Sequence, residues 1–83
     1  MHEDLIKFTS DLVKNLVKEP DMVSVKEFED ETDTITIEIL VDEDSMGSVI
    51  GKGGMLINAI RTIVQASSYA NNGKKVRINI DSF

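Results

Sequence analysis

The chain has 83 residues, of which 41% are hydrophobic, so it has room for one small domain over residues 1–83 and for no second core. It contains no cysteine, which excludes disulfide bonds and thiolate metal sites and suits a reducing compartment. The net charge is −6, but residues 1–45 carry 4 basic and 14 acidic side chains, whereas residues 46–83 carry 5 basic and 1 acidic side chain.

The chain begins with a predicted helix. Apolar residues recur at helical spacing and predict a helix over residues 3–18, and Pro20 prevents its continuation. A short alternation over residues 23–26 then predicts a first strand. Phe28 is out of phase with that alternation, which indicates a bulge or the end of the strand. We expect Phe28 and Phe8 to lie in the core.

A hairpin and a short helix follow. The acidic run over residues 29–33 predicts the hairpin turn, and residues 35–41 predict a second strand. Its apolar residues alternate strictly: Ile35, Ile37, Ile39 and Val41. Asp44 or Ser45 is suited to cap a short helix over residues 46–50.

The second half ends with a long helix and a last strand. After a glycine-rich turn, residues 55–70 predict a helix, with asparagines and a glycine at its end. Its predicted inward stripe contains Leu56, Ile60, Ile63, Val64 and Ser67. Alternation over residues 76–81 predicts the third strand. The order of elements predicts an α+β fold, with a three-stranded mixed sheet and the helices on one face.

The glycine-rich turn is the segment best suited to binding chemistry. Gly51, Lys52, Gly53 and Gly54 join two predicted helices, so main-chain amides at the start of the second helix lack intrahelical partners and favour an anion. Glycine permits the tight turn and lets a phosphate approach. The spacing excludes a nucleotide P-loop, which has one more residue between its glycines and a Ser or Thr after the lysine. A dinucleotide fingerprint fails on spacing as well.

This segment resembles a known family. The residues VIGKGG from Val49 to Gly54, the stretch VDEDSMGSVIGKGG that contains them and the helix motif AIRTIV are similar to type II KH domains, in particular to the small bacterial single-KH proteins of the KhpA family. The resemblance implies binding of single-stranded RNA, with the G-x-x-G loop clamping about four nucleotides. It also implies a role as a post-transcriptional regulator or RNA chaperone, dimerisation, and partnership with a larger KH-containing protein of the Jag or KhpB type.

The resemblance assigns RNA contacts beyond the loop. By that likeness Gly51 to Gly54 form the clamp with Lys52 at its tip, Ile50 and Ile57 line an apolar groove for bases, and the last strand closes its far side with Ile78 and Arg77. Residues 72–75 correspond to the variable loop facing the clamp across the groove, where Lys74 and Lys75 pair with phosphates. Core packing is the competing explanation for the isoleucines, and a solvated edge strand for Lys74, Lys75 and Arg77.

One departure from the family pattern keeps a second function open. Basic residues that often follow the last glycine are replaced here by Met55 and Asn58, and the net charge is negative, which weakens attraction to a polyanion. The alternative is therefore a protein-interaction adaptor that keeps the KH fold with weak or no RNA binding.

Other classes of function are disfavoured. Only one histidine is present, at position 2, and the carboxylates cluster in turns, so we expect no enzyme, no cofactor and no metal site. The first residues are acidic and no apolar run is long enough for a membrane span, so we expect a cytoplasmic location.

Overall fold

A computed structural model describes residues 2–29 and 32–83 of the chain. The helices and strands follow in the order α1 (Glu3–Lys14), β1 (Ser24–Glu29), β2 (Thr34–Val41), α2 (Met46–Ile50), α3 (Met55–Asn71) and β3 (Lys75–Ser82). Short 3-10 turns lie at Pro20–Met22, Glu43–Ser45 and Lys52–Gly54. This order confirms the predicted α+β arrangement.

The three strands form one mixed sheet with β2 in the centre. β1 pairs with β2 in antiparallel fashion, with Val25 opposite Ile39. β3 runs parallel to β2 on its other side, with Ile78 beside Ile37. A parallel return needs a crossover, and α2, the glycine turn and α3 supply it. The outer edge of β3 is left without a neighbouring strand in the described part of the chain, which matters for the site below.

The core lies between the sheet and the helices. The alternating residues of β2, from Ile35 to Val41, point inward and are almost completely buried. Helical residues pack against them: Leu5 and Val13 from α1, Val49 from α2, and Ile57, Ile60 and Val64 from α3. Burial of each such side chain contributes about 1.5–3 kcal/mol to stability. The predicted second strand and its inward face are confirmed.

The first helix ends earlier than predicted. α1 stops at Lys14, not at residue 18. The amide of Leu16 donates to the carbonyl of Val13 at 2.9 Å, and the Asn15 side chain donates to the carbonyl of Asp11 at 2.7 Å. These contacts tighten the last turn and cap it, so the helix ends well before Pro20. Leu16 and Val17 still pack partly against the core, which explains why the apolar pattern runs on.

The first strand and its phenylalanine also differ from the prediction. β1 pairs with β2 one to one as far as Glu29, so it contains no bulge. Phe28 is 49% exposed and lies on the side of the sheet away from the helices, opposite Thr36. Its placement in the core was therefore wrong, whereas Phe8 does pack partly against the core. The predicted hairpin turn includes residues 30 and 31, which lie outside the described residues.

Two predictions for the later helices need correction. Ser45 precedes α2 as expected, but neither it nor Asp44 makes a side-chain capping bond there. In α3 the buried residues are Ile57, Ile60, Val64 and Ser68. The predicted stripe was therefore wrong in phase at Leu56 and Ile63, which are exposed. Among residues 2–29 and 32–83, no helix combines the length and apolarity that crossing a bilayer requires.

Candidate nucleic-acid interface

The glycine turn has a backbone that only glycine adopts readily. α2 ends at Ile50, and the next residue, Gly51, has φ 76° and ψ 173°. Gly53 and Gly54 also have positive φ, at 62° and 82°. A Cβ added to Gly51 would lie 2.9 Å from both the Cγ and the backbone N of Leu56. The turn therefore depends on Gly51 for steric reasons as well as for its backbone angles.

The turn presents main-chain amides next to an exposed lysine. The Gly51 amide donates to the carbonyl of Gly47 at 2.9 Å, and the Gly54 amide donates to the carbonyl of Gly51 at 3.1 Å. Because Gly51 breaks α2, the amides of Lys52 and Gly53 begin a new helical turn, where amides have no intrahelical partner. Both residues are exposed. Together with the positive end of the α3 dipole, they form a surface suited to a phosphate.

The predicted apolar groove residues divide into two groups. Ile50 is half-buried, so part of its side chain faces the surface beside the turn. Ile57 and Ile78 each expose only 4% of their surface and belong to the core. The structure therefore places these two beneath the groove, where they support its floor and offer almost no area to a base.

The variable loop lies at the opposite end of α3 from the glycine turn. α3 has 17 residues, so the two ends are about 25 Å apart along its axis. The buried Ser68 hydroxyl donates to the carbonyl of Lys74 at 2.7 Å, and its oxygen lies 2.9 Å from Asn72 Oδ1, so these contacts fix the loop. The loop thus faces the turn along the groove, not across it.

The three predicted basic residues near this loop point in different directions. The Lys74 Nζ lies 3.5 Å from Asp33 Oδ1, so part of its charge is neutralised. Lys75 and Arg77 are exposed on β3. Their partners in the register, Thr34 and Thr36, face away from the core. Both side chains therefore start from the outer face of the sheet, although their backbone borders the groove.

Two residues of the groove were not predicted as site residues. Arg61 donates from Nε and Nη2 to the carbonyl of Ile78, at 3.4 and 3.3 Å. Gln65 accepts from the Val76 amide at 2.9 Å and donates to the carbonyl of Lys74 at 3.1 Å. They are four residues apart on the side of α3 that faces β3. Two polar residues at that spacing beside a buried stripe were the signal available in the sequence.

The outer side of α3 is apolar and uncovered in the described part of the chain. Leu56 and Ile63 are 39% and 46% exposed. Ala59, Ala66 and Ala70 are exposed as well and share this face at spacings of three and four residues. We call these five residues the α3 stripe. Arg61 is the only charged residue of α3 and lies on the groove side, so the α3 stripe carries no charge.

Within the described residues, no group of three or more His, Asp or Glu side chains is placed to hold a metal ion.

Comparison with known proteins identifies the family to which the chain is related. A family model described as the KH domain of KhpA and KhpB matches residues 6–80. The chain is 37% identical over 75 residues to RNA-binding protein KhpA of Chlamydia pneumoniae, covering 90% of this chain and 91% of the relative. It is 43% identical over 70 residues to that of Listeria monocytogenes, covering 83% and 88%. It is 41% identical over 70 residues to RNA-binding protein KhpA of Streptococcus pneumoniae serotype 4, covering 84% of this chain and 85% of the relative.

Two solved structures share the fold. The structure of Era in complex with MgGDPNP and nucleotides of 16S ribosomal RNA superposes with a TM-score of 0.68 at 22% identity, over 94% of this chain and 29% of that chain. A structure of Aquifex aeolicus Era superposes with a TM-score of 0.70 at 23% identity, with the same coverage of both chains. The chain therefore spans less than a third of Era, and at this identity the likeness concerns the fold alone.

Proposed function

The chain belongs to the family of KhpA and KhpB KH domains, and from that membership we propose that it binds single-stranded RNA by clamping the RNA backbone with residues 51–54. The observation that carries this proposal is the turn itself. Lys52 and Gly53 are exposed in a turn of three glycines with positive φ before α3, and amides at the start of a helix lack intrahelical partners. KH domains hold about four nucleotides with such a loop.

The length of the groove agrees with a short RNA segment. The proposed RNA path runs from the glycine turn along α3 and the open edge of β3 to the variable loop, about 25 Å away. Bound along this path, a strand meets Lys52 at one end and the backbone of Lys75 at the other. The acidic residues that make the net charge negative belong almost entirely to residues 1–45, whereas the turn itself carries only Lys52.

The residues at the start of α3 lead us to expect weak RNA binding. Met55 follows the last glycine and Asn58 lies one turn later, so the start of α3 adds no cation to Lys52. Few phosphate contacts give modest, salt-sensitive affinity and fast release. Such binding suits a post-transcriptional regulator or RNA chaperone that must let its RNA exchange, and this is the cellular role that we propose.

The experiment compares two double variants, each of which lowers the net charge of the protein by three. The variant with Lys52→Asp and Gly53→Asp should lose affinity for short single-stranded RNA, measured by fluorescence anisotropy. As a control, Lys18→Asp with Met22→Asp changes the charge by the same amount at exposed positions between α1 and β1. The control should retain RNA binding, and circular dichroism should show both variants folded.

The outcomes separate the two functions. Equal RNA affinity in the loop variant and the control would reject the clamp. No detectable RNA affinity in the unaltered chain, together with binding to a protein partner, would favour the adaptor function.

We also propose that the chain forms a homodimer through the α3 stripe. Two copies each carry a net charge of −6 and repel one another over most orientations. The α3 stripe is an uncharged surface that two copies can bring together, and its alanines allow the two helices to approach closely. A two-fold axis would set each stripe against the other. The stripe lies on the opposite side of α3 from Arg61 and Gln65, so a dimer leaves both grooves open.

A further inference from the structure

A shallow groove of about 500 Å³ lies between α3 and the open edge of β3. It is lined by Arg61, Thr62 and Gln65 of α3 and by residues 75–78 of β3. The side chains of Arg61 and Gln65 hydrogen-bond to main-chain groups of β3 and so form a polar floor. The groove therefore offers a fixed set of polar groups beside an apolar core.

Arg61 is held in one orientation. In addition to its two contacts with the carbonyl of Ile78, its Nη1 donates to Asn58 Oδ1 at 3.1 Å. A guanidinium has five N–H donors and no acceptor. Three donors are used by these contacts, which leaves two N–H groups for other partners. An arginine that is already positioned loses little freedom when it makes further hydrogen bonds.

We propose that Arg61 reads one base of the bound RNA and selects guanine over adenine at that position. This inference rests on the proposed RNA binding. Two free donors require a base edge with two acceptors, and guanine presents O6 and N7 side by side. Adenine presents N7 next to its amino group, which would meet an arginine donor with another donor. A bidentate contact of this kind gives a preference of about tenfold or more.

The position of Arg61 favours contact with a base over contact with a phosphate. It lies seven residues after Gly54, about 10 Å along α3, and it leans toward β3, as its bonds to Ile78 show. The glycine turn and Lys52 hold the backbone at the start of α3 in the proposed complex. Bases then point toward β3, where Arg61 is fixed.

The test uses five-nucleotide RNAs that contain uridine at all positions but one. That one position carries guanine or adenine and is moved through the oligonucleotide, and affinities are measured by anisotropy. At one position the unaltered chain should bind guanine about tenfold more tightly than adenine. In Arg61→Lys, which keeps the charge but loses the planar donor pair, this ratio should fall to about one. Lys18→Arg, at an exposed position between α1 and β1 and outside the groove, is the control and should keep the ratio.

Each outcome has a distinct meaning. Equal affinity for guanine and adenine at every position, with RNA still bound, overturns this inference and leaves the proposed function standing. A ratio unchanged in Arg61→Lys also overturns it. No affinity for any of the RNAs rejects the proposed function itself. If Arg61→Lys melts at a much lower temperature, Asn58→Ala serves instead, because it frees Nη1 at an exposed position and should reduce the ratio.

Discussion

Replacing Gly51 by alanine should destabilise the protein more than the same change at its neighbouring glycines. Gly51 has φ 76° and ψ 173°, a backbone conformation almost confined to glycine. A Cβ at this position lies 2.9 Å from Leu56 Cγ and 2.9 Å from the Leu56 backbone N. The exposed Leu56 side chain is free to turn away, but its backbone N belongs to the first turn of α3. Moving that atom would shift the start of the helix.

The size of the effect follows from these two causes. Backbone strain of this kind costs about 1–3 kcal/mol, and overpacking costs about 1–3 kcal/mol. A small shift of the backbone relieves part of the strain and part of the overpacking at once, so the two costs do not add in full. We therefore expect the free energy of unfolding to fall by about 2–4 kcal/mol. A chain of this length has about 4–12 kcal/mol in all, so Gly51→Ala should remain folded but be clearly weakened.

Two other glycines provide matched controls. Gly53 has φ 62° but open space around a Cβ, so Gly53→Ala should cost about 1–2 kcal/mol. Gly47 lies within α2, where a Cβ also meets open space, so Gly47→Ala should gain about 0.5–1 kcal/mol. Urea denaturation followed by circular dichroism gives all three values. If Gly51→Ala is as stable as Gly53→Ala, the steric requirement at Gly51 is refuted.

Three further expectations concern the groove, the variable loop and the α3 stripe. The logarithm of RNA affinity should fall with the logarithm of salt concentration with a slope of about −1.5 to −2, as expected for two or three phosphates on a single strand; a slope of zero would argue against phosphate contacts. Ser68→Ala should lower the free energy of unfolding by about 0.5–1.5 kcal/mol, because the Lys74 carbonyl loses one of its two donors and keeps Gln65 Nε2. Ser67→Ala should change it little, and equal losses in the two variants would contradict this role. Ile63→Glu should shift a dimer to monomer in sedimentation analysis, whereas Met22→Glu should not. A chain that is monomeric before any change would refute the homodimer, and loss of binding to a KhpB-type protein in Ile63→Glu would then assign the stripe to that partner.

The strict alternation of β2 was enough to predict the centre of the fold. Residues 35–41 are buried at every second position because the strand has helices on one side only. In α3 the pattern was ambiguous, because Leu56 and Ile63 each stand next to another apolar residue, Ile57 and Val64. Periodicity alone does not decide which of two adjacent stripes faces the sheet. The outer stripe is apolar as well, and this is also the reason that it is a candidate for self-association.

Local contacts explain the other differences from the prediction. α1 ends at Lys14 because Asn15 and Leu16 bond back to the last turn, which apolar spacing does not reveal. Phe28 was assigned to the core for its hydrophobicity, although its phase in β1 already pointed it outward.

The candidate site was predictable where backbone chemistry determines it and less so where packing does. Glycines at 51, 53 and 54 indicated a turn with positive φ, and the structure has it. The burial of Ile57 and Ile78 depends on how α3 and β3 meet. The same holds for Arg61, whose role arises from a carbonyl 17 residues later in the chain. The spacing of Arg61 and Gln65 indicates a polar side of α3, but no local pattern identifies their partners in a distant segment of the chain.

Clamping of RNA by residues 51–54 is tested most directly by following backbone amide resonances while a short single-stranded RNA is added. The amides of Lys52 and Gly53 should show the largest changes, with smaller changes along the groove side of α3 and in β3. Changes that leave these two amides unaffected, or that cluster on α1 and β1, would contradict the proposed clamp.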